Sequence, residues 1–342
     1  MKKMRCGTDF IVCASILFTA AHLTAAPRDW QKNPAIVELD TPEDIYAIGD
    51  AHSDYNRLKK ALHGAGVADE AGHWIAGRAV LVSTGDMIDK GPRALAVLLF
   101  YKTLRDDARS QGGNVIILAG NHEAEFLANP AAPKGAVFAK QLKEAHISPA
   151  EVGACHGSTG EFLCSLAFGA RINEWFFSHA GNPRGRTVSE LKADIQKGID
   201  HDGYRTPQLI GNDSLLEARL DEDGPNGKPW LQEGMPNLNE QALLTAYTGA
   251  LGVQHIVEGH KPSDVEFLDG SKRRAGEMFQ QFGLLFLIDT GMSEGVNNSH
   301  GAVLHITTKN KKAEAVCPNG KSTLLWDEKN KQITGRAAPC PG

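Results

Sequence analysis

Residues 117–126 read ILAGNHEAEF, an apolar run that passes straight into Gly-Asn-His-Glu. Nothing in folding alone asks a buried strand to end by presenting an amide, an imidazole and a carboxylate in succession. The same punctuation recurs along the chain in DIYAIGD (44–50), AVLVSTGD (79–86), WFFSHAG (175–181), QHIVEGH (254–260) and LLFLIDTG (284–291). Together with NVIILAGNH (114–122), these short runs rich in β-branched residues read as buried strands. Helical patterns lie between them at 55–66, 92–110, 188–200 and 239–252, the second with proline at its start. Alternation of this kind predicts an α/β fold with a largely buried sheet.

The bulk numbers exclude more than they propose. The chain has 342 residues, 42% hydrophobic and 23% charged, and a net charge of −5, which is the balance of a soluble globular protein. No basic stripe argues for nucleic acid and no acidic tail argues for disorder. Residues 27–342 read as one domain with a loop-rich insertion around 205–236, which contains DEDGPNGKP. The polar tail after Ala313 reads as surface.

MKKMRCGTDF followed by IVCASILFTAAHLTAA has the basic start and short apolar run of a secretory signal peptide over 1–26. An uncleaved anchor is the alternative. Export implies a periplasmic or secreted protein with no stable membrane association after cleavage. Cys155, Cys164, Cys317 and Cys340 would then remain, with three connectivities open for two disulfides. Pairing of sequence neighbours, Cys155 with Cys164 and Cys317 with Cys340, is the expectation, and free or cross-paired thiols the alternative.

The strand ends carry the chemistry. Asp50 and His52 lie in GDAHSD, Asp86 and Asp89 in GDMIDKGP, Asn121 and His122 in GNHEAE, His179 in SHAG and His260 in EGHKP. In open α/β sheets strand ends converge on one edge, where ligands bind. Carboxylate, imidazole and amide oxygen are mixed donors suited to hard or borderline cations, and the lack of thiolate argues against a soft metal. One carboxylate shared by two metals would hold them about 3.5–4 Å apart, the spacing used for in-line displacement at phosphorus. Glycine before Asp50, Asp86, Asn121 and His260 suggests a sharp backbone turn at each end.

The ordered set GDAH, GDMIDKG, GNHE, SHAG and GHKP resembles the calcineurin-like metallophosphoesterase superfamily, over about 44–289. VADEAGHWIAGRAVLVSTGD, preceding the second motif's core, is also similar to the Shewanella-like branch of phosphoprotein-phosphatase-type bacterial enzymes. The resemblance implies an αββα sandwich of two mixed β-sheets flanked by helices, and two divalent or trivalent ions of manganese, iron or zinc. It implies that Asp50, His52 and Asp86 hold the first ion and that Asp86 bridges to a second held by Asn121, His179 and His260. His122, positioned by Asp89, would be the acid for the leaving oxygen. Lys90 would attract phosphate, and Arg219 is a second candidate, against a reading as exposed helical arginine. Lys90 stands where the family usually has arginine, Ser53 where it has glycine, and Ala180 where it has glycine.

The implied reaction is hydrolysis of a phosphate monoester on a protein or small molecule by metal-activated hydroxide, without a covalent intermediate. Cleavage of a phosphoanhydride or diester is the alternative within enzymes; a metal- or phosphate-binding protein without turnover is the alternative outside them. Asp54 is expected to cap the helix from Tyr55, Glu123 to support its turn or cap the next helix, and Asp289 to serve a structural turn.

Overall fold

The computed structural model describes residues 27–220, 229–232, 237–297, 299–330 and 335–341. The proposed signal segment and parts of the proposed insertion therefore lie outside the described residues. In chain order the first elements are β1 (Ile36–Leu39), β2 (Ile45–Ile48), α1 (Tyr55–Gly64), β3 (Val80–Ser83), α2 (Ala94–Ser110) and β4 (Asn114–Ile117). A helical cluster follows: α3 (Asn121–Ala128), α4 (Ala136–Glu144), α5 (Pro149–Gly153) and α6 (Gly157–Ser165). Then come β5 (Gly169–Ile172), β6 (Trp175–Ser178), α7 (Val188–Asp202), α8 (Pro207–Ile210), α9 (Glu240–Leu251) and β7 (His255–Glu258). The remainder is strand: β8 (Val265–Glu266), β9 (Lys272–Arg273), β10 (Met278–Gln281), β11 (Leu285–Leu287), β12 (Val303–Thr307), β13 (Lys312–Val316), β14 (Ser322–Asp327) and β15 (Arg336–Ala337).

Two mixed sheets result, in the orders β14-β13-β12-β2-β3-β4 and β1-β5-β6-β7-β11-β10-β15. β2, β3 and β4 run parallel, as do β6, β7 and β11. The period-two alternation of strand side chains explains why the runs are apolar throughout. Ile45, Ala47, Val80, Val82, Phe177, Val257, Phe286 and Leu304 fill the layer between the sheets. Their neighbours Ile48, Leu81, Phe176, Ile256, Leu285 and Leu287 join the second core, with helical residues such as Leu58, Tyr101 and Leu104. Burying a side chain of this size contributes about 1.5–3 kcal/mol. Helix, sheet, sheet and helix thus form four layers, as the resemblance implied.

The expected helices form, three with trimmed ends and α7 running two residues further, to Asp202; Asp54 caps α1 by accepting from the Arg57 N–H at 3.1 Å. Both sequence-neighbour disulfides are present, Cys155–Cys164 between α5 and α6 and Cys317–Cys340 in the C-terminal segment. The tail departs from expectation: β13 and β14 extend the six-stranded sheet, burying Ala313, Ala315 and Leu325. Its small and spaced apolar residues are enough for an edge hairpin, because only one face of it needs covering.

Candidate metal centre

The carboxyl ends of β2, β3 and β4 and of β6 and β7 meet at one edge. Hydrogen bonds stitch the two sheets there: the Thr84 carbonyl accepts from His179 Nδ1 (3.0 Å), and Asp50 Oδ2 accepts from the His260 N–H (2.9 Å). Arg273, fully buried, donates to the carbonyls of Lys261, Ser263, Glu277 and Asp289 and fixes the turn behind His260.

The turns themselves are strained. His52, Ser53, Asp86, Asp89, Lys90 and His260 all have left-handed backbones, with φ of 39°, 63°, 49°, 62°, 55° and 63°. Non-glycine residues held this way cost on the order of 1–3 kcal/mol each, and such strain gathers at functional sites. Ser53 thus shows why glycine is usual at its position. Two of the signature glycines have different duties. Gly85 takes φ 107°, whereas Gly120 is extended and serves space, because a Cβ there would stand 2.1 Å from Asp86 Oδ1.

Glu123 braces the strained loop. Its Oε1 accepts from Met87 N–H (2.8 Å) and Ile88 N–H (3.1 Å), and its Oε2 from Asp86 N–H (2.9 Å) and Gly120 N–H (2.8 Å). Burial and the Asp86 charge push this carboxyl up to about 7. Yet four N–H donors leave no place for a proton, and the turn is built around the ionised form.

Asp86 occupies the centre. Its Oδ2 lies 3.4 Å from His52 Nε2, and its Oδ1 lies 3.4 Å from His179 Nε2. His52 Nδ1 is 3.2 Å from the Ile88 carbonyl, and His179 Nδ1 donates to Thr84, so both Nε2 atoms are turned toward oxygens of Asp86. At His52, neutral near pH 7, a lone pair then faces a carboxylate oxygen, which calls for a positive charge between them; at His179 either a proton or a cation meets Asp86.

On the His179 side the set is fuller. His179 Nε2 lies 3.1 Å from Asn121 Oδ1 and 3.0 Å from His260 Nδ1. Tetrahedral ligands 2.0–2.2 Å from one ion stand roughly 3.3–3.6 Å apart, close to these separations. Asp86, His179 and His260 form one group able to hold a metal, and His52, Asp86 and His122 a second. Asp50 belongs to neither group. Its Oδ1 is buried with no hydrogen-bond partner among the described residues, as is His260 Nε2. The donor set and the orphaned atoms fit a pair of cations flanking Asp86.

Electrostatics separate the histidines. Burial pulls His52 down to about 4 and His260 well below the usual imidazole range, so both are neutral near pH 7. Burial also works against the proton on His122, but Asp86 and the Asp89 hydrogen bond (Nδ1 to Oδ2, 3.0 Å) raise it above the ordinary value. His179 is likewise raised, burial being outweighed by Asp86. Burial alone would raise the Asp86 carboxyl, but the imidazoles of His179, His122 and His52 hold it well below the carboxylate range. Burial, with Asp289 and Asp86 nearby, drives Asp50 well above it.

Lys90 is exposed and its charge helps depress His52. Arg219 lies in irregular chain rather than a helix, is half-buried, and acts electrostatically on His260, so the exposed helical reading is replaced. Asp289 Oδ1 accepts from Gly291 N–H (2.8 Å) as a turn should, but its carboxyl also faces Asp50. Sequence reasoning missed Glu217 and Lys134. Glu217 Oε2 accepts from Asn121 Nδ2 at 3.2 Å, and Lys134, ion-paired to Glu125, acts on His122, His260 and Glu217. Neither sits in a motif, so spacing could not have flagged them.

A family model described as calcineurin-like phosphoesterase matches residues 44–285. An uncharacterized protein of Schizosaccharomyces pombe is 28% identical over 288 residues, 79% of each chain. Shewanella-like protein phosphatase 2 of Arabidopsis thaliana is 33% identical over 99 residues, 28% of this chain and 25% of that one, so this chain spans about a quarter of that relative. Among solved structures, a cold-active protein-tyrosine phosphatase of a psychrophilic Shewanella superposes with a TM-score of 0.62 at 21% identity, covering 89% of this chain and 84% of that one. At that identity the likeness establishes the fold.

Proposed function

Because the chain belongs to the calcineurin-like phosphoesterase family, we propose that it is a binuclear-metal phosphatase that hydrolyses phosphate monoesters, with proteins or small molecules as carriers. The observation that carries this reading is the placing of Asp86 between two imidazole nitrogens, His52 Nε2 and His179 Nε2, each 3.4 Å from a different one of its oxygens. Asp86 would be shared by both ions, with His52 and Asp50 completing one position and Asn121, His179 and His260 the other. Asp50 would join through its orphaned Oδ1. When bound, the ions supply Lewis acidity that activates water and offsets charge on the phosphoryl oxygens.

The chain's own residues do the rest. His122 carries a proton that Asp89 orients through Nδ1, leaving Nε2 to deliver one to the leaving oxygen. The opposite pKa shifts of His52 and His122 support separate duties, lone pair on one and proton on the other. Lys90, whose charge reaches His52, and Arg219, whose charge reaches His260, would attract the phosphate dianion. Manganese, iron and zinc all suit the donors. The two disulfides support an oxidising compartment, periplasmic or extracellular. Rates on para-nitrophenyl phosphate and its bis-ester with Mn²⁺, Fe²⁺ or Zn²⁺ test the reading. The monoester is expected to be the faster substrate; a faster bis-ester would overturn monoester specificity, and no turnover on either would leave a binding protein.

A further inference from the structure

We infer that Glu217 is a positioning residue that decides which face of the Asn121 amide meets the metal centre; this rests on Asn121 being a ligand. An amide has an oxygen and an NH₂ at nearly interchangeable positions, and only the oxygen can bind a cation. An ionised carboxylate is acceptor-only, so it selects between them. Glu217, 9% exposed, sits with Oε2 3.2 Å from Asn121 Nδ2, which turns Oδ1 toward His179 Nε2 at 3.1 Å. The reversed amide would set two acceptors, Oδ1 and the carboxylate, against each other.

The selector is itself anchored. Glu217 N–H lies 3.2 Å from Ser214 Oγ, and the same turn accepts the Ala180 N–H at the Leu215 carbonyl (2.7 Å). Ala180 follows His179, so Glu217 and a second ligand move as one body. Glu125, one helical turn beyond Asn121 in α3, faces Glu217, and Lys134 supplies the positive charge between these two carboxylates. Glu217 touches no reacting atom; it acts through Asn121.

Mn²⁺ titration of the full chain, followed by EPR of the spin-coupled pair and by equilibrium dialysis, tests this. Glu217→Leu is expected to weaken the second ion about 10–100-fold while the first binds as before, in line with the loss of an outer partner. Glu217→Ala makes the same test where leucine does not fit. Glu217→Gln keeps an acceptor oxygen and should fall only about twofold, the cost of two equal amide orientations. The decisive variant is Asn121→Asp in the Glu217→Leu background: a carboxylate has oxygen on both sides, needs no selector, and should restore the second ion. Wild-type binding in the leucine and alanine variants, or failure of Asn121→Asp to restore it, overturns the role. Asn121→Ala separates the two layers, since retention of both ions there removes Asn121 as a ligand, whereas loss there without loss in Glu217→Leu removes only Glu217.

Discussion

Glu123→Gln perturbs the loop under Asp86 without changing its size. The carboxylate holds four buried N–H groups, two on each oxygen. Glutamine keeps one oxygen and turns an NH₂ toward the other two donors. Two buried donors left without an acceptor cost about 1–3 kcal/mol each, so about 2–6 kcal/mol in all. Relief of the left-handed strain at Asp86 returns about 1 kcal/mol. A net loss of about 3 kcal/mol is therefore expected, a large part of a typical domain stability of about 5–15 kcal/mol. Urea unfolding of the metal-free chain, followed by tryptophan fluorescence, reads this directly, and Mn²⁺ dialysis reads the coupled loosening of both ions through Asp86. A loss below about 1 kcal/mol with unchanged metal affinity would refute the reasoning, because the strained turn would then be held by something other than Glu123.

His122→Ala should lower kcat on para-nitrophenyl phosphate by about 10²–10⁴-fold while both ions remain by elemental analysis; loss of an ion would make His122 a ligand instead. Because Asp86 and Asp89 hold the His122 proton, activity should fall as pH rises through its raised pKa, and Asp89→Asn should move that limb to lower pH. Lys90→Ala should raise KM about tenfold or more, and Lys90→Arg should not, since a guanidinium grips phosphate at two points; equal KM in all three would remove Lys90 from the site. His255, 3% exposed and stacked on Trp175, is pushed down to about 4 by burial. Its neutral form is favoured in the fold, so the stability it protects is complete above about 6.5 and is lost as pH falls toward 4, a change of about 3 kcal/mol. His255→Phe should flatten urea midpoints between pH 7 and 4, and an unchanged slope would exclude His255 as the cause.

The sequence by itself determined the strands and their endings. Runs such as VLVS and WFFS must be covered on both faces, and the residues that follow them are polar for no reason of burial, so fold class and proposed ligand set were both legible. The helices α3 to α6 were less so, because each is only five to nine residues long, too short for a period of 3.6 to stand out. Tertiary structure alone decided how Asp86 divides its two oxygens, why Gly120 must be glycine, and that the charge of a half-buried Arg219 reaches His260. It alone brought Glu217 to Asn121 and Lys134 to Glu125, across sequence gaps that no periodicity spans. The physical reason is that spacing along a chain encodes which face of an element a residue occupies, whereas hydrogen-bond partners and pKa shifts depend on what other elements deliver to that face.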